Sequence, residues 1–284
     1  MSLTFHKTLN TATCHYCGRS YQVPAVCPEC SGNRLRSRGF GTEKIEEEVA
    51  ALFPEARTAR LDLDSAKNGY ETILEDFQEG RTDILIGTQM VSKGLDFDKV
   101  SVVGILQADS MMSYPDFRST ERGYQLMAQV AGRAGRGRQS GRVIIQTYLP
   151  QDPVIGFAAR QDYRAFFESE FRRRRNGLYP PFTVLGRLLI ESSREEAAVR
   201  AAEELDGKVR ALTAQHPDWQ KKILTMLKDI PSVKFLKAKH RRHIVIKALV
   251  GPETDAFFGT LTEMAGEGTD GAEVTFEVNP ATMM

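Results

Sequence analysis

Nowhere does this sequence read G-x-x-x-x-G-K-[ST], so it carries no phosphate-gripping loop of that kind. It shows no dinucleotide-binding glycine loop and no paired catalytic dyad, which leaves a small-molecule α/β enzyme with little support. No apolar run approaches the roughly 20 residues of a transmembrane helix, and no secretory leader is expected. The expected compartment is the cytoplasm, with no membrane partner. An excess of one charge is also lacking: 38 Lys and Arg face 37 Asp and Glu, a formal net charge of +1. Any grip on a polyanion must therefore come from local patches. Cysteine is scarce, with four in 284 residues, too few for a disulfide-built scaffold. What remains is ordinary globular composition, 41% hydrophobic and 26% charged, in a chain long enough for two domains with their own cores.

The few cysteines are arranged. Cys14, Cys17, Cys27 and Cys30 spell C-x2-C-x9-C-x2-C. Each pair can grip one edge of a tetrahedral zinc from a tight turn, eased by Gly18 and Gly32. Four thiolates would close the site and make it structural, with His15 a bystander. Arginine is arranged too. Residues 121–131 read as a helix running into Gln129, Gly132, Arg133, Gly135 and Arg136. On a helix, Gln129, Arg133 and Arg136 line one face, and the two glycines leave a bare face beside it. Arg keeps its charge and offers a planar fork matched to phosphate oxygens. The stripe therefore suits an arginine finger on a transferring γ-phosphate; the bland alternative is a solvated helix end.

The rest of the chain supplies a scaffold. Helical spacing marks residues 43–53, with Thr42 a plausible N-cap, and the segment 70–77. Residues 58–63, 83–88, 100–106 and 142–147 read as strands, and alternation of helix and strand argues for a parallel sheet. Thr88 and Gln89 follow a strand at the end where open sheets place ligands, fit for a nucleic-acid phosphate. Residues 109–117 form a Met- and aromatic-rich loop, favoured for packing over base stacking. One connecting helix is expected over 151–177, its aromatic stripe of core type. The basic run at 172–175 is of the kind that is usually a solvated face, and in a DNA motor it would touch a phosphate backbone. Beyond it, β-α-β-β-α-β suggests a ferredoxin-like domain. Residues 221–247 hold nine Lys and Arg against one acid, with Lys237, Lys239, Arg241 and Arg242 the favoured nucleic-acid contacts.

Q-V-A-G-R-A-G-R at 129–136 matches the second-lobe signature of superfamily 2 helicases. With P-D-F-R-S-T-E-R at 115–122 and G-T-Q-M-V-S-K-G-L-D-F at 87–97, the chain resembles the PriA family of primosomal replication-restart helicases. The resemblance runs from about Thr4 to the end and is strongest from Cys14 to Pro181. It implies a RecA-like second lobe, here incomplete, in which Gly94 and Asp96 face the nucleotide and Arg133 and Arg136 the γ-phosphate. It implies ATP and Mg2+ in a longer protein that moves 3′ to 5′ on DNA and reloads the replicative helicase at stalled forks. The implied partners are branched and single-stranded DNA, primosome proteins and single-strand-binding protein. The family carries eight cysteines holding two zincs in nested pairs, of which the last four correspond to those here. The expected division is a partial zinc segment at 1–34, the lobe at 35–177 and a DNA-binding α+β domain at 178–284. This chain alone is expected to lack ATPase activity, because the phosphate-loop lobe belongs to another part of the motor. The other reading is a zinc-knuckle nucleic-acid binding module without catalysis.

Overall fold

The computed structural model describes residues 4–6, 11–13, 20–24, 26–28, 30–32, 41–62, 69–88, 100–114, 116–132, 141–229, 231, 233–269 and 271–283. No helix among them is long and apolar enough to cross a membrane. Three short strands come first: β1 (Thr4–His6), β2 (Thr11–Thr13) and β3 (Ser20–Gln22), antiparallel in that order. Nothing in the cysteine spacing announces them.

Helix and strand then alternate. Helix α1 (Thr42–Leu52) leads to β4 (Thr58–Leu61), α2 (Tyr70–Gln78) and β5 (Ile84–Gly87). Strands β4 and β5 pair in parallel with Thr58 opposite Ile84, a pairing that needs the crossover α2 supplies. The register is latched at its start. Arg57, just before β4, donates through Nε and Nη2 to the Asp83 carboxylate at 2.8 Å each. A second parallel pair joins β6 (Val102–Ile105) to β7 (Arg142–Ile145), with α3 (Ala108–Met112) and α4 (Ser119–Ala131) between them in sequence. Ile105, Tyr124 and Met127 share a core with Ile155, Ala158 and Phe166 from α5 (Pro153–Ala159) and α6 (Tyr163–Asn176).

Three local expectations change. Thr42 is the first helical residue rather than the cap, and its hydroxyl donates to Asp62 at 2.6 Å. The 109–117 loop contains the short helix α3, and its Met111 and Met112 pack against the core that α4 shares. Gly123 admits it: a Cβ there would stand 2.7 Å from Met112 Cγ. The single helix over 151–177 is two helices, α5 and α6. Asp152 accepts from Val154 N at the start of α5 and Asp162 from Ala165 N at the start of α6. Two strong N-caps ten residues apart, with Gln161 at φ 54° between them, break the run.

The last part is a β-α-β-β-α-β arrangement with two additions. Strand β8 (Val184–Ser192) precedes α7 (Glu195–Gln215), the short α8 (Pro217–Lys222) and β9 (Ile223–Asp229). A hairpin of β10 (Phe235–Leu236) and β11 (Lys239–Ala248), then α9 (Pro252–Glu267) and β12 (Glu273–Val278), complete it. Across the antiparallel sheet the long strands run β9, β11, β8, β12, and β10 extends the β9 edge of β11. Period-two alternation sends Leu188, Ile190, Ile244 and Ile246 to the face covered by α7 and α9, where Leu205, Phe257 and Leu261 meet them. Gly186 keeps the centre of that face clear: a Cβ there would lie 2.9 Å from Phe276 and 3.0 Å from Phe258.

Candidate functional site

Helix α4 carries the sequence that leads into the arginine stripe. Its buried side is Ser119, Gly123, Tyr124, Met127 and Ala131. Arg122, Gln125 and Gln129 fall on the exposed side, so Gln129 stands at the solvent surface near the helix end. Arg133 and Arg136 lie outside the described residues, as do Gln89, Gly94 and Asp96.

The other end of α4 is pinned by a polar junction that sequence spacing did not reveal. The Asp116 carboxylate accepts from Arg118 N at 2.8 Å and from Met283 N at 3.2 Å. Arg122 donates to the Ala281 carbonyl at 2.7 Å. Glu121 pairs with Arg174 of α6, whose Nε also reaches Glu170 at 2.7 Å. Arg173 grips the same Glu170 and donates to the Phe117 carbonyl. The Phe117 ring stacks on Tyr179 at 4.7 Å, and Lys247 of β11 sits 3.6 Å from the Tyr179 centroid. Burial pushes both the Arg118 guanidinium and the Lys247 ammonium below their ordinary values. Thus one knot ties the lobe helix, the connecting helix, strand β11 of the last sheet and the C-terminal tail. The P-D-F-R-S-T-E-R run was the available signal, but its partners lie 50 to 170 residues away.

The same knot corrects the expectation for the basic run. Arg173 and Arg174 are consumed by Glu170, Glu121 and a backbone carbonyl, so half of that run is scaffold. Thr88 is exposed just past the carboxyl end of β5, and its N–H donates to Leu61 O at 3.4 Å. At the corresponding end of β6 and β7, Asp109 accepts from the Thr147 hydroxyl at 2.7 Å and Tyr148 N at 2.9 Å. Those hydrogen bonds hold its carboxyl below the usual range.

The basic patch on the last sheet is mostly paired. Lys239 pairs with Glu273, Arg241 with Glu191 at 3.1 Å and Arg242 with Glu195 at 2.9 Å. Arg241 is only 6% exposed, and burial pushes its guanidinium down. Registry explains this, since Glu273, Glu191 and Arg241 are directly opposite one another across β12, β8 and β11. Lys237 is exposed in the tight β10–β11 turn at φ 48°. Neither it nor Lys228 has an ion-pair partner among the described residues, while Lys234 faces the Glu195 carboxylate electrostatically. The local charge count could not see carboxylates brought in from distant strands.

Of the cysteines, Cys27 and Cys30 are described; Cys14 and Cys17 are not. Cys27 N donates to Gly32 O, and Ser31 N to Cys27 O, at 2.8 Å each, closing a turn of knuckle type. Two thiols in such a turn fit one edge of a tetrahedral thiolate site. Among the described residues no group of three or more metal-ligating side chains gathers.

Comparison with known proteins adds identity to this geometry. Residues 35–138 match the helicase conserved C-terminal domain, which implies a RecA-like second lobe. The alternating parallel pairs between residues 58 and 145 agree with that. The chain is 45% identical over 203 residues to replication restart protein PriA of Bacillus subtilis, covering 71% of this chain and 25% of that protein. It is 46% identical over 193 residues to the Chlamydia pneumoniae protein of the same name, covering 66% and 26%. For the Treponema pallidum one the figures are 44% over 216 residues, 76% and 32%. The chain thus spans a quarter to a third of the length of these relatives.

Proposed function

The chain belongs to the PriA replication-restart family, and from that premise we propose that it forms the second-lobe and C-terminal part of an ATP-dependent DNA helicase. The whole enzyme moves 3′ to 5′, restarts stalled forks and reloads the replicative helicase. Its ligands are branched and single-stranded DNA, its partners primosome proteins and single-strand-binding protein, and its compartment the cytoplasm. The observation that carries the reading is α4, which presents Gln129 to solvent at one end and is locked to the fold at the other.

In this reading Gln129, Arg133 and Arg136 meet the γ-phosphate of ATP held with Mg2+ on another lobe, and Gly94 and Asp96 line the nucleotide. Nucleotide hydrolysis supplies the energy for movement. The chain's own task is positional: two guanidiniums compensate charge on the transferring phosphoryl group only when the cleft is closed. Thr88 and Gln89 then hold a DNA phosphate at the strand ends. Because Glu121, Arg122 and Asp116 pin the start of α4 to α6 and to the C-terminal tail, a change in the tilt of α4 also moves those segments.

The division into 1–34, 35–177 and 178–284 follows from this reading. The strand order β9, β11, β8, β12 with both helices on one face supports the ferredoxin-like assignment of the last part. There DNA contact falls chiefly to Lys237, with Lys239, Arg241 and Arg242 supporting the turn through their ion pairs with Glu273, Glu191 and Glu195. The knuckle turn at Cys27 and Cys30 supports a structural zinc, which Cys14 and Cys17 complete in this chain by re-pairing, since the family's nested pairing would set the two knuckles on different zincs. Arg136→Ala in a polypeptide that includes the phosphate loop tests the reading. DNA-stimulated kcat should fall by about 10³-fold or more while a fluorescent ATP analogue still binds. Unchanged kcat overturns it.

A further inference from the structure

Helix α6 turns an aromatic row outward where a core stripe is expected from its spacing. Phe166 and Glu170 take the buried positions. Tyr163, Phe167 and Phe171, four residues apart, are 65%, 49% and 39% exposed. Their ring centroids lie 6.2 Å and 5.6 Å apart, and Phe182 prolongs the row edge-on to Phe171 at 4.7 Å. Exposed rings in contact with one another, rather than scattered, mark a surface meant to be covered.

The border of the row tells what covers it. Arg175 stands one turn beyond Phe171 on the same side, exposed and with no carboxylate within ion-pair distance among the described residues. Arg172 is exposed and donates through Nε only to the Glu168 backbone carbonyl, at 3.2 Å. Arg164, 91% exposed at its side chain, is matched by Glu168 at 3.3 Å. The rim therefore carries two uncompensated guanidiniums beside four touching rings. An apolar peptide would use the rings and leave the cations idle. A duplex would use the cations and leave the rings idle, because its bases already stack on each other. A single strand uses both.

We propose that this row is a base-stacking surface for single-stranded nucleic acid. Bases lie on Tyr163, Phe167 and Phe171, and the backbone runs past Arg172 and Arg175. The site is separate from Thr88 and from the Lys237 turn, and it takes any sequence because every base offers a π-face. The inference rests on the nucleic-acid part of the reading above.

The test is fluorescence anisotropy of the 284-residue chain with a labelled oligothymidylate and with a fully abasic strand of equal length. The wild type should favour the oligothymidylate. The double variant Phe167→Leu, Phe171→Leu keeps apolar bulk but removes the rings. It should lose about tenfold or more in affinity for the oligothymidylate and nothing for the abasic strand, with circular dichroism unchanged. Arg175→Gln should weaken both strands and flatten the salt dependence. Retained oligothymidylate affinity in the double variant assigns the row to a protein contact and overturns the proposal; so does an equal loss for both strands. If Lys237→Gln then abolishes binding while the double variant does not, the stacking site fails and the nucleic-acid reading stands. If the wild type binds neither strand, both fail.

Discussion

The lobe between residues 41 and 145 and the sheet between 184 and 278 hold themselves together differently. In the sheet, β8 is buried at six consecutive positions, from Leu185 to Ile190, so both of its faces are covered. In the lobe, the strands are four residues long, α1 and α2 bury no residue fully, and Val102 and Ile144 are 56% and 54% exposed on neighbouring strands. One region closes its own core; the other presents half-finished apolar faces. The proposed function asks this lobe to open and close against another, and elements that move are drawn from the less stable part of a fold; the asymmetry falls on that side.

The largest break of this contrast should come from core deletion. Leu188→Ala removes a fully buried side chain from the face under α7 and α9. It should cost about 2–5 kcal/mol by urea denaturation followed at the C-terminal sheet. Val102→Ala, on the exposed face of β6, should stay within about 0.5 kcal/mol. Equal costs would mean that the lobe is as fully packed as the sheet. Amide hydrogen exchange should rank them likewise, with β8 and β11 slower than β6 and β7.

The junction offers a smaller but more specific break. Arg174, 15% exposed at its side chain, bridges Glu121 and Glu170, which is 8% exposed. Arg174→Ala strands Glu170 with one partner, Arg173, and should cost about 3 kcal/mol, discounted for that remaining pair. The sharper outcome is in cooperativity. If the knot couples the two regions, the variant should unfold in two resolved steps under differential scanning calorimetry where the wild type shows one. A single step in both would mean that the knot is not what couples the two regions.

Sequence reading reached the parts whose signal is local. The parallel strand–helix alternation and the strands of the last sheet follow from spacing, whereas the Asp152 and Asp162 caps, each one residue's side chain, were overlooked. It failed where the deciding partner is distant. Arg241 looks like a surface cation until Glu191 is placed opposite it on β8. Tyr163, Phe167 and Phe171 look like core until Phe166 is seen to take the buried register. The arginines of 172–175 look uniform until Glu121 arrives from α4. In each case composition was legible and partnership was not. The proposal that Arg133, Arg136, Gly94 and Asp96 face the nucleotide rests on motif alone.

The smallest effect belongs to the lobe's surface latch, and it probes whether the less finished region relies on electrostatics. Arg57 donates from its backbone N and its guanidinium to Asp83, and these bonds hold the Asp83 carboxyl well below the usual carboxylate range. A carboxyl whose folded value is depressed contributes stability that is present above its unfolded value, about 3.9. That contribution fades as pH falls through the folded value. The window therefore lies below about pH 4, and neutral pH leaves the latch intact. Both partners are exposed, 58% and 44% at their side chains, so solvent screens the pair and the effect is small. Asp83→Asn should lower the urea midpoint of the lobe slightly at pH 7 and at low salt, and the difference should shrink towards pH 2. Strand β5 amides, which follow Asp83 directly, are the place to read it by hydrogen exchange. A difference that grows on acidification would reverse the sign and show that the Asp83 carboxylate strains the lobe rather than latching it.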